Sequence, residues 1–188
     1  MKTIIGRIFC TLGLMLTVLF GMLTWADAVA TDAELYFRLQ MKAGVPEAAG
    51  VSEADLKRLD DALADCLDGN RDAFVENGEI MRVTVFGEEQ PAFNERELTH
   101  MEDCRVLVRK LRKVRNISAG GLLLFALGVL MLKTKKDVWL CAKLSILIWA
   151  VPLLSFGLWA ATDFMNAFVF FHKMLFTNDL WLLNPSPD

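Results

Sequence analysis

The stretch Asn116-Ile117-Ser118-Ala119-Gly120-Gly121-Leu122-Leu123-Leu124-Phe125-Ala126-Leu127-Gly128-Val129-Leu130-Met131-Leu132 carries no charge over 17 residues and runs straight into Lys133-Thr134-Lys135-Lys136. A helix needs about 20 residues to cross roughly 30 Å of hydrocarbon. The run therefore reads as a short membrane span, crossing with little tilt and ending in a basic loop. Two more charge-free windows lie outward from it, Ile8 to Ala26 and Leu144 to Thr162, each of 19 residues. The third span is expected to begin near Val138, with Lys143 snorkelling or facing protein. Pro152 inside it predicts a kink. The first window admits two readings. Lys2 and Arg7 before it and Ala28-Val29-Ala30 after it suit either a retained helix or a signal peptide cut at small residues. Both put the following residues outside the cytoplasm.

Apolar residues make up 54% of the 188 and charged residues 23%, so the two classes are segregated along the chain. That excludes a disordered chain, and four cysteines at this length exclude a disulfide scaffold. The Lys133–Lys136 loop is short enough for the positive-inside rule. It is expected to be cytoplasmic, as is Met1 to Arg7, which leaves the long insert and the C-terminus extracytoplasmic.

The expected order is a span or signal peptide over 1–26, an acidic extracytoplasmic insert over 27–93 and a basic amphipathic interfacial helix over 94–115. A second span over 116–132, a cytoplasmic loop over 133–137 and a third span over 138–162 follow. An extracytoplasmic aromatic interfacial segment over 163–188 ends the chain. The fold class is an all-α membrane protein with three transmembrane helices and a small, mostly helical insert that includes a short strand. In the insert, Thr31-x-x-Glu34, Ser52-x-x-Asp55 and Asn94-x-x-Glu97 each read as a capping box opening a helix. The first of these helices should stop near Gly44 and Pro46, the second before Gly69. Ile80 to Phe86 is strand-like, with β-branched Val83 and Val85.

The net charge of −3 hides a division. Asp27 to Asp103 holds 19 acidic and 7 basic residues, whereas Cys104 to Arg115 holds no acidic and 6 basic ones. The acidic part reads as a solvated surface. In the helix after Asn94, Met101, Cys104, Leu107, Val108, Leu111 and Val114 share one face, and Arg105, Arg109, Lys110, Arg112 and Lys113 fall opposite, with Val106 the apolar exception. A basic face against an apolar one suits a helix at the membrane interface, its cations on anionic headgroups. A helix packed on the insert with a solvated basic face is the plainer alternative.

Only two histidines are present, His100 and His172. His100 projects onto the apolar arc, with Glu97 and Asp103 at i−3 and i+3, where a carboxylate could orient the imidazole. His172 follows the aromatic run Phe164 to Phe171, which suits a membrane–water belt. Asn178 and Asp179 form a turn before Leu180-Trp181-Leu182-Leu183. Topology puts both histidines on the outer face, where they could share a site. A solitary structural role for each is the plainer reading.

These residues resemble a known family. Phe93-Asn94-Glu95-Arg96-Glu97-Leu98-Thr99-His100-Met101-Glu102-Asp103 is similar to the first of two His-containing segments of bacterial lipoprotein intramolecular transacylases. Phe171-His172-Lys173-Met174-Leu175-Phe176-Thr177-Asn178-Asp179-Leu180-Trp181-Leu182-Leu183-Asn184-Pro185 is similar to the second. Cys104 stands where the family usually has Val, and Asn184 where it usually has Asp. The family pattern also continues into a fourth transmembrane helix, beyond the Asp188 that ends this sequence. The resemblance implies a multi-pass enzyme of the bacterial plasma membrane with its active face outside. It would move the sn-2 acyl chain of a diacylglyceryl-modified lipoprotein to the α-amino group of the N-terminal cysteine. His100 and His172 would be catalytic, with Glu97, Asp103, Asn178, Asp179 and Trp181 in support. Partners would be lipoproteins and membrane phospholipid, not nucleic acid. No cofactor and no metal are expected.

Two other readings compete. Paired histidines on membrane helices could ligate a haem, which a Soret band would reveal. The acidic insert could instead make the chain a membrane-anchored, partner-binding sensor, indifferent to histidine replacement. A zinc hydrolase lacks an H-x-x-x-H pair or cysteine cluster. Cys66 and Cys104 could pair outside the cytoplasm or remain thiols.

Overall fold

In a computed structural model the described residues are 2–132 and 135–182. Lys133 and Thr134 of the basic loop, and Leu183, Asn184 and Pro185 of the second His-containing segment, lie outside them. Among the described residues, three helical stretches are long and apolar enough to cross a membrane: Lys2–Ala30, Glu95–Met131 and Lys135–Thr162. The chain divides into two units, Met1–Trp25 with Leu111–Thr177, and Ala26–Lys110 with Asn178–Asp188.

The first unit is built on α1 (Lys2–Ala30), the end of α5 (Glu95–Ser118), α6 (Gly121–Met131), α7 (Lys135–Thr162) and α8 (Phe164–Leu175). In an apolar solvent helices gain little from burying one another's aliphatic side chains, so close backbone contact and polar bonds decide the packing. Glycines supply the contact between α1 and α6. A Cβ on Gly13 would lie 2.2 Å from Phe125 N, and one on Gly128 would lie 2.3 Å from Cys10 N. Gly6 meets Met131, so α1 and α6 run antiparallel.

Polar rungs supply the contact between α1 and α7. Arg7 donates from Nε to Asp137 Oδ1 at 2.9 Å and Ser145 Oγ donates to Thr11 O at 3.1 Å. Trp149 Nε1 donates to Met15 O at 3.2 Å. Both series advance by whole helical turns in the same sense, so α1 and α7 are parallel. Asp137 in the first turn of α7 faces a favourable dipole as well as Arg7, and α7 begins at Lys135 rather than near Val138. The helix continues through Pro152. Its outward flank of Leu147, Val151, Leu154 and Leu158 is exposed, as a lipid-facing surface requires.

Helix α8 turns back at Asp163, whose side chain caps it by accepting from Asn166 N. Phe156 and Trp159 of α7 meet Phe171 and Phe170 of α8 at 6.2 and 5.3 Å between ring centres.

The second unit holds α2 (Ala33–Lys42), α3 (Val45–Ala49), α4 (Glu53–Asp68), two hairpins and the start of α5. The expected Ser52 box is present, with Ser52 Oγ accepting from Asp55 N at 3.0 Å. The expected Thr31 box is not. Asp32 caps α2, accepting from Leu35 N, because α1 runs on to Ala30 and the Thr31 hydroxyl donates back to Asp27 O.

Strands β1 (Val75–Glu76) and β2 (Glu79–Ile80) join through Asn77-Gly78, both at positive φ. Strands β3 (Arg82–Val85) and β4 (Glu88–Pro91) join through Phe86-Gly87, also both positive. Two positive φ values make the turn that matches strand twist. The single expected strand is thus two hairpins. β4 gave no alternation to read, because Glu88-Glu89-Gln90-Pro91 is exposed throughout.

The insert core gathers Ala62, Cys66, Phe74 and Met81, with Leu59, Phe93, Leu98 and Met101 packed on it. One acid departs from the solvated surface. Asp60 is 3% exposed, accepts from Gln40 Nε2, and burial pushes its carboxyl above the usual range.

Gly128→Leu should force α1 from α6, costing at least the about 1–3 kcal/mol of ordinary overpacking. A thermal melt of the detergent-solubilised protein should fall by several degrees. Gly21→Leu, which meets nothing within 4 Å, should melt like the parent. Equal melts for both variants would refute the backbone contact.

Candidate active site

The first His-containing segment is held by its own N-terminus. Asn94 Oδ1 accepts from Glu97 N and Glu97 Oε2 accepts from Asn94 N, both at 2.9 Å. This is the reciprocal box expected from sequence. Phe93 before it and Leu98 after it both pack on the insert core, stapling the entry of α5. His100 stands one turn further on, half-buried, with Nε2 3.5 Å from Cys104 Sγ. Burial, then the negative charge of Asp103, pushes the Cys104 thiol up to about 11. It is therefore an S–H at neutral pH, able to donate to the ring.

Glu97 was expected to orient His100, but its carboxylate is the cap of α5. The Asp103 carboxylate has a distant partner, since Asn178 Nδ2 donates to its Oδ2 at 2.8 Å. Arg96 Nη2 donates to the main-chain oxygen of Asp179 at 2.5 Å. The 178–181 turn is itself stiffened. Leu180 N donates to Asn178 Oδ1, and the indole of Trp181, 5% exposed, donates to Asn178 O at 2.7 Å. Thus Asn178, Asp179 and Trp181 of the second motif are clamped onto the first, across 75 and 83 residues of sequence.

His172 belongs to α8 in the other unit. Its Nδ1 lies 2.8 Å from Phe168 O. A carbonyl oxygen can only accept, so the proton sits on Nδ1 and Nε2 is the basic nitrogen of the neutral ring. Phe168 lies 3.9 Å away between ring centres, Phe176 is near-parallel at 5.9 Å, and Phe171 is edge-on at 5.6 Å.

The basic run needs one correction. Arg105 is 2% exposed and pairs with Glu102, its Nε donating at 2.7 Å, so it is no headgroup ligand. Helical projection gives an angle but not a neighbour, and Arg105 points at the insert. Arg109 and Lys110 are exposed. The four cysteines are all thiols. An open groove of about 580 Å³ in the insert is lined by Arg58, Asp61, Asp65 and Glu76 and includes neither histidine. Sequence reasoning missed Arg96 as a contact residue. A single cation among Glu95, Glu97, Glu102 and Asp103 was the available sign.

The family model described as lipoprotein intramolecular transacylase Lit matches residues 11–188. The chain belongs to the Lit family. Its fold is also that of two solved structures of the membrane-integral Lit from Bacillus cereus. One is 20% identical over 98% of this chain and 75% of that one, with a TM-score of 0.63. The other, with one histidine replaced by arginine, is 22% identical over 96% and 74%, also at 0.63. A search of the curated proteins finds no significant match. As a Lit protein with three apolar helices, the chain is a membrane protein of the transacylase kind.

Asn178→Asp should set two carboxylates against each other where a donor now meets Asp103. Hydrogen exchange over 178–182 should accelerate about tenfold or more, and adding Asp103→Asn should restore it, because contacting residues are coupled. Equal exchange in all three proteins would show that this contact does not hold the turn.

Proposed function

We propose that this protein moves the sn-2 acyl chain of a diacylglyceryl-modified lipoprotein onto the α-amino group of its N-terminal cysteine, leaving a lyso-form lipoprotein. The observation that carries the reading is the match to the Lit family across 11–188, which contains both histidine segments. The clamp of Asn178 and Asp179 onto Asp103 and Arg96 supports it, because residues of both motifs meet in one unit. His172 precedes Asn178 by six positions in the chain.

The chemistry suits these side chains. An α-ammonium of pKa about 8 must lose a proton before it can attack an ester. An imidazole can take that proton and return it. His172, with Nδ1 tied to Phe168 O, offers Nε2 as the base. The amine nitrogen then bonds to the sn-2 carbonyl carbon, and the bond to the glycerol oxygen breaks. That oxygen leaves with the proton returned by imidazolium, while the nitrogen, which began as an ammonium, gives up a second proton to solvent and ends as an amide. Within the proposal His100 shares the proton traffic, its Nε2 backed by the Cys104 thiol. Asn178, Asp179 and Trp181 hold the second motif in place, and Glu97 and Asp103 act through structure rather than on the imidazole.

The substrate is lipid-anchored, so the reaction belongs at the outer interface of the bacterial plasma membrane. The topology drawn from Lys133 to Lys136 puts the insert there. Arg109, Lys110 and Arg112 then face phospholipid headgroups.

The test is mass spectrometry of the N-terminal peptide of a host lipoprotein. His100→Ala and His172→Ala should each abolish the lyso form at matched expression, and the double variant should cost little more, as residues acting together do. His100→Gln should also fail, because an amide cannot shuttle a proton. Near-normal lyso-form from either alanine variant would contradict the shared role.

A further inference from the structure

Arg96 occupies α5 one turn before His100, so the two side chains project from the same face of the helix. Its guanidinium is charged at every working pH and carries five N–H donors. One of them goes to Asp179 O at 2.5 Å. Its Nε–H is buried and has no hydrogen-bond acceptor among the described residues. The neighbouring carboxylates are engaged elsewhere: Glu97 caps Asn94, Asp103 accepts from Asn178, and Glu102 holds Arg105. A buried cationic donor without an acceptor is costly. Such a cost is met where a ligand brings the acceptor.

The clamp to Asp179 also fixes the guanidinium, because a main-chain oxygen in a turn braced by Trp181 does not move with side-chain rotamers. A fixed donor is what a developing negative charge requires, since it needs no reorganisation at the moment of reaction.

Resting on the acyl-transfer reading above, we propose that Arg96 is a further catalytic residue, whose Nε–H donates to the carbonyl oxygen of the migrating acyl group as that oxygen becomes an oxyanion. When the amine nitrogen bonds to the carbonyl carbon, the C=O electron pair moves onto oxygen, and Arg96 stabilises it there. When the pair returns, the bond to the glycerol oxygen breaks. Arg96 keeps its proton throughout.

The test uses the full chain reconstituted in bilayers with a synthetic diacylglyceryl-cysteine peptide. Arg96→Gln should lower kcat by about 10²–10³-fold, as loss of one such donor does, with KM within about twofold. Affinity for a phosphonate mimic of the tetrahedral intermediate should fall by the same factor as kcat/KM, the mark of transition-state binding. Arg96→Ala should regain part of its rate when guanidinium ion is added at millimolar concentration, which a merely structural arginine would not allow. A KM rise with kcat unchanged would overturn the proposal. So would unaltered phosphonate affinity, or an unrescued loss that parallels faster exchange over 178–182. If the parent protein turns over and Arg96→Gln matches it, this inference alone fails. If the parent makes no lyso-form peptide, the acyl-transfer reading fails.

Discussion

Asn178 reaches across 75 residues of sequence to donate to Asp103, and much else in the candidate site depends on that contact. Together with the Arg96 bond to Asp179 O, it ties the residues after α8 to a distant part of the chain. With it, the Asn178–Trp181 turn is fixed to the helix that carries His100, and Arg96 is fixed to the turn in return. The arrangement is mutual: α5 is ordered by its own box and by the insert core, the turn by its Asx bond and buried indole, and the contact between them joins two preformed pieces. Joining rigid pieces loses little conformational entropy, so a pair of hydrogen bonds suffices.

The membrane helices follow a different rule. Where aliphatic burial gives no advantage, Gly13, Gly121 and Gly128 let backbones touch, and Arg7, Ser145 and Trp149 bond across from α1 to α7. The antiparallel α1–α6 and parallel α1–α7 pairs set three apolar helices side by side in alternating direction. The insert behaves as a small soluble unit, with an apolar cluster round Phe74 and Phe93 and hairpin turns at positive φ.

What could be read from the sequence was local or periodic. Charge-free windows marked the three apolar helices, and the Ser52 and Asn94 boxes were correct because a cap involves residues three apart. The two histidine segments were recognisable as motifs. Other readings failed where one local pattern serves two purposes. Glu97 sits three residues from both Asn94 and His100, and spacing alone does not choose between them. Arg105 shares its helix side with Arg109 and Lys110, yet the neighbour that buries it belongs to a different part of the insert. Asn178 to Asp103 and Arg96 to Asp179 are contacts of the folded chain, with no trace in either segment taken alone. The glycine contact of α1 with α6 was equally silent, since Gly21 and Gly128 look alike as letters and differ only in what stands opposite.

The account centres on transfer of one acyl chain within one lipoprotein. Its most direct test is an isotope experiment with the purified protein in a bilayer. Synthetic lipopeptides would carry a heavy sn-2 chain and a light sn-1 chain, mixed with an equal amount of all-light lipopeptide whose peptide has a distinct mass. The account predicts that the heavy chain appears as an amide on the peptide that brought it, with a free hydroxyl at sn-2 and no heavy chain on the second peptide. Heavy label on the second peptide, a light amide on the first, or release of free fatty acid in place of amide would contradict it.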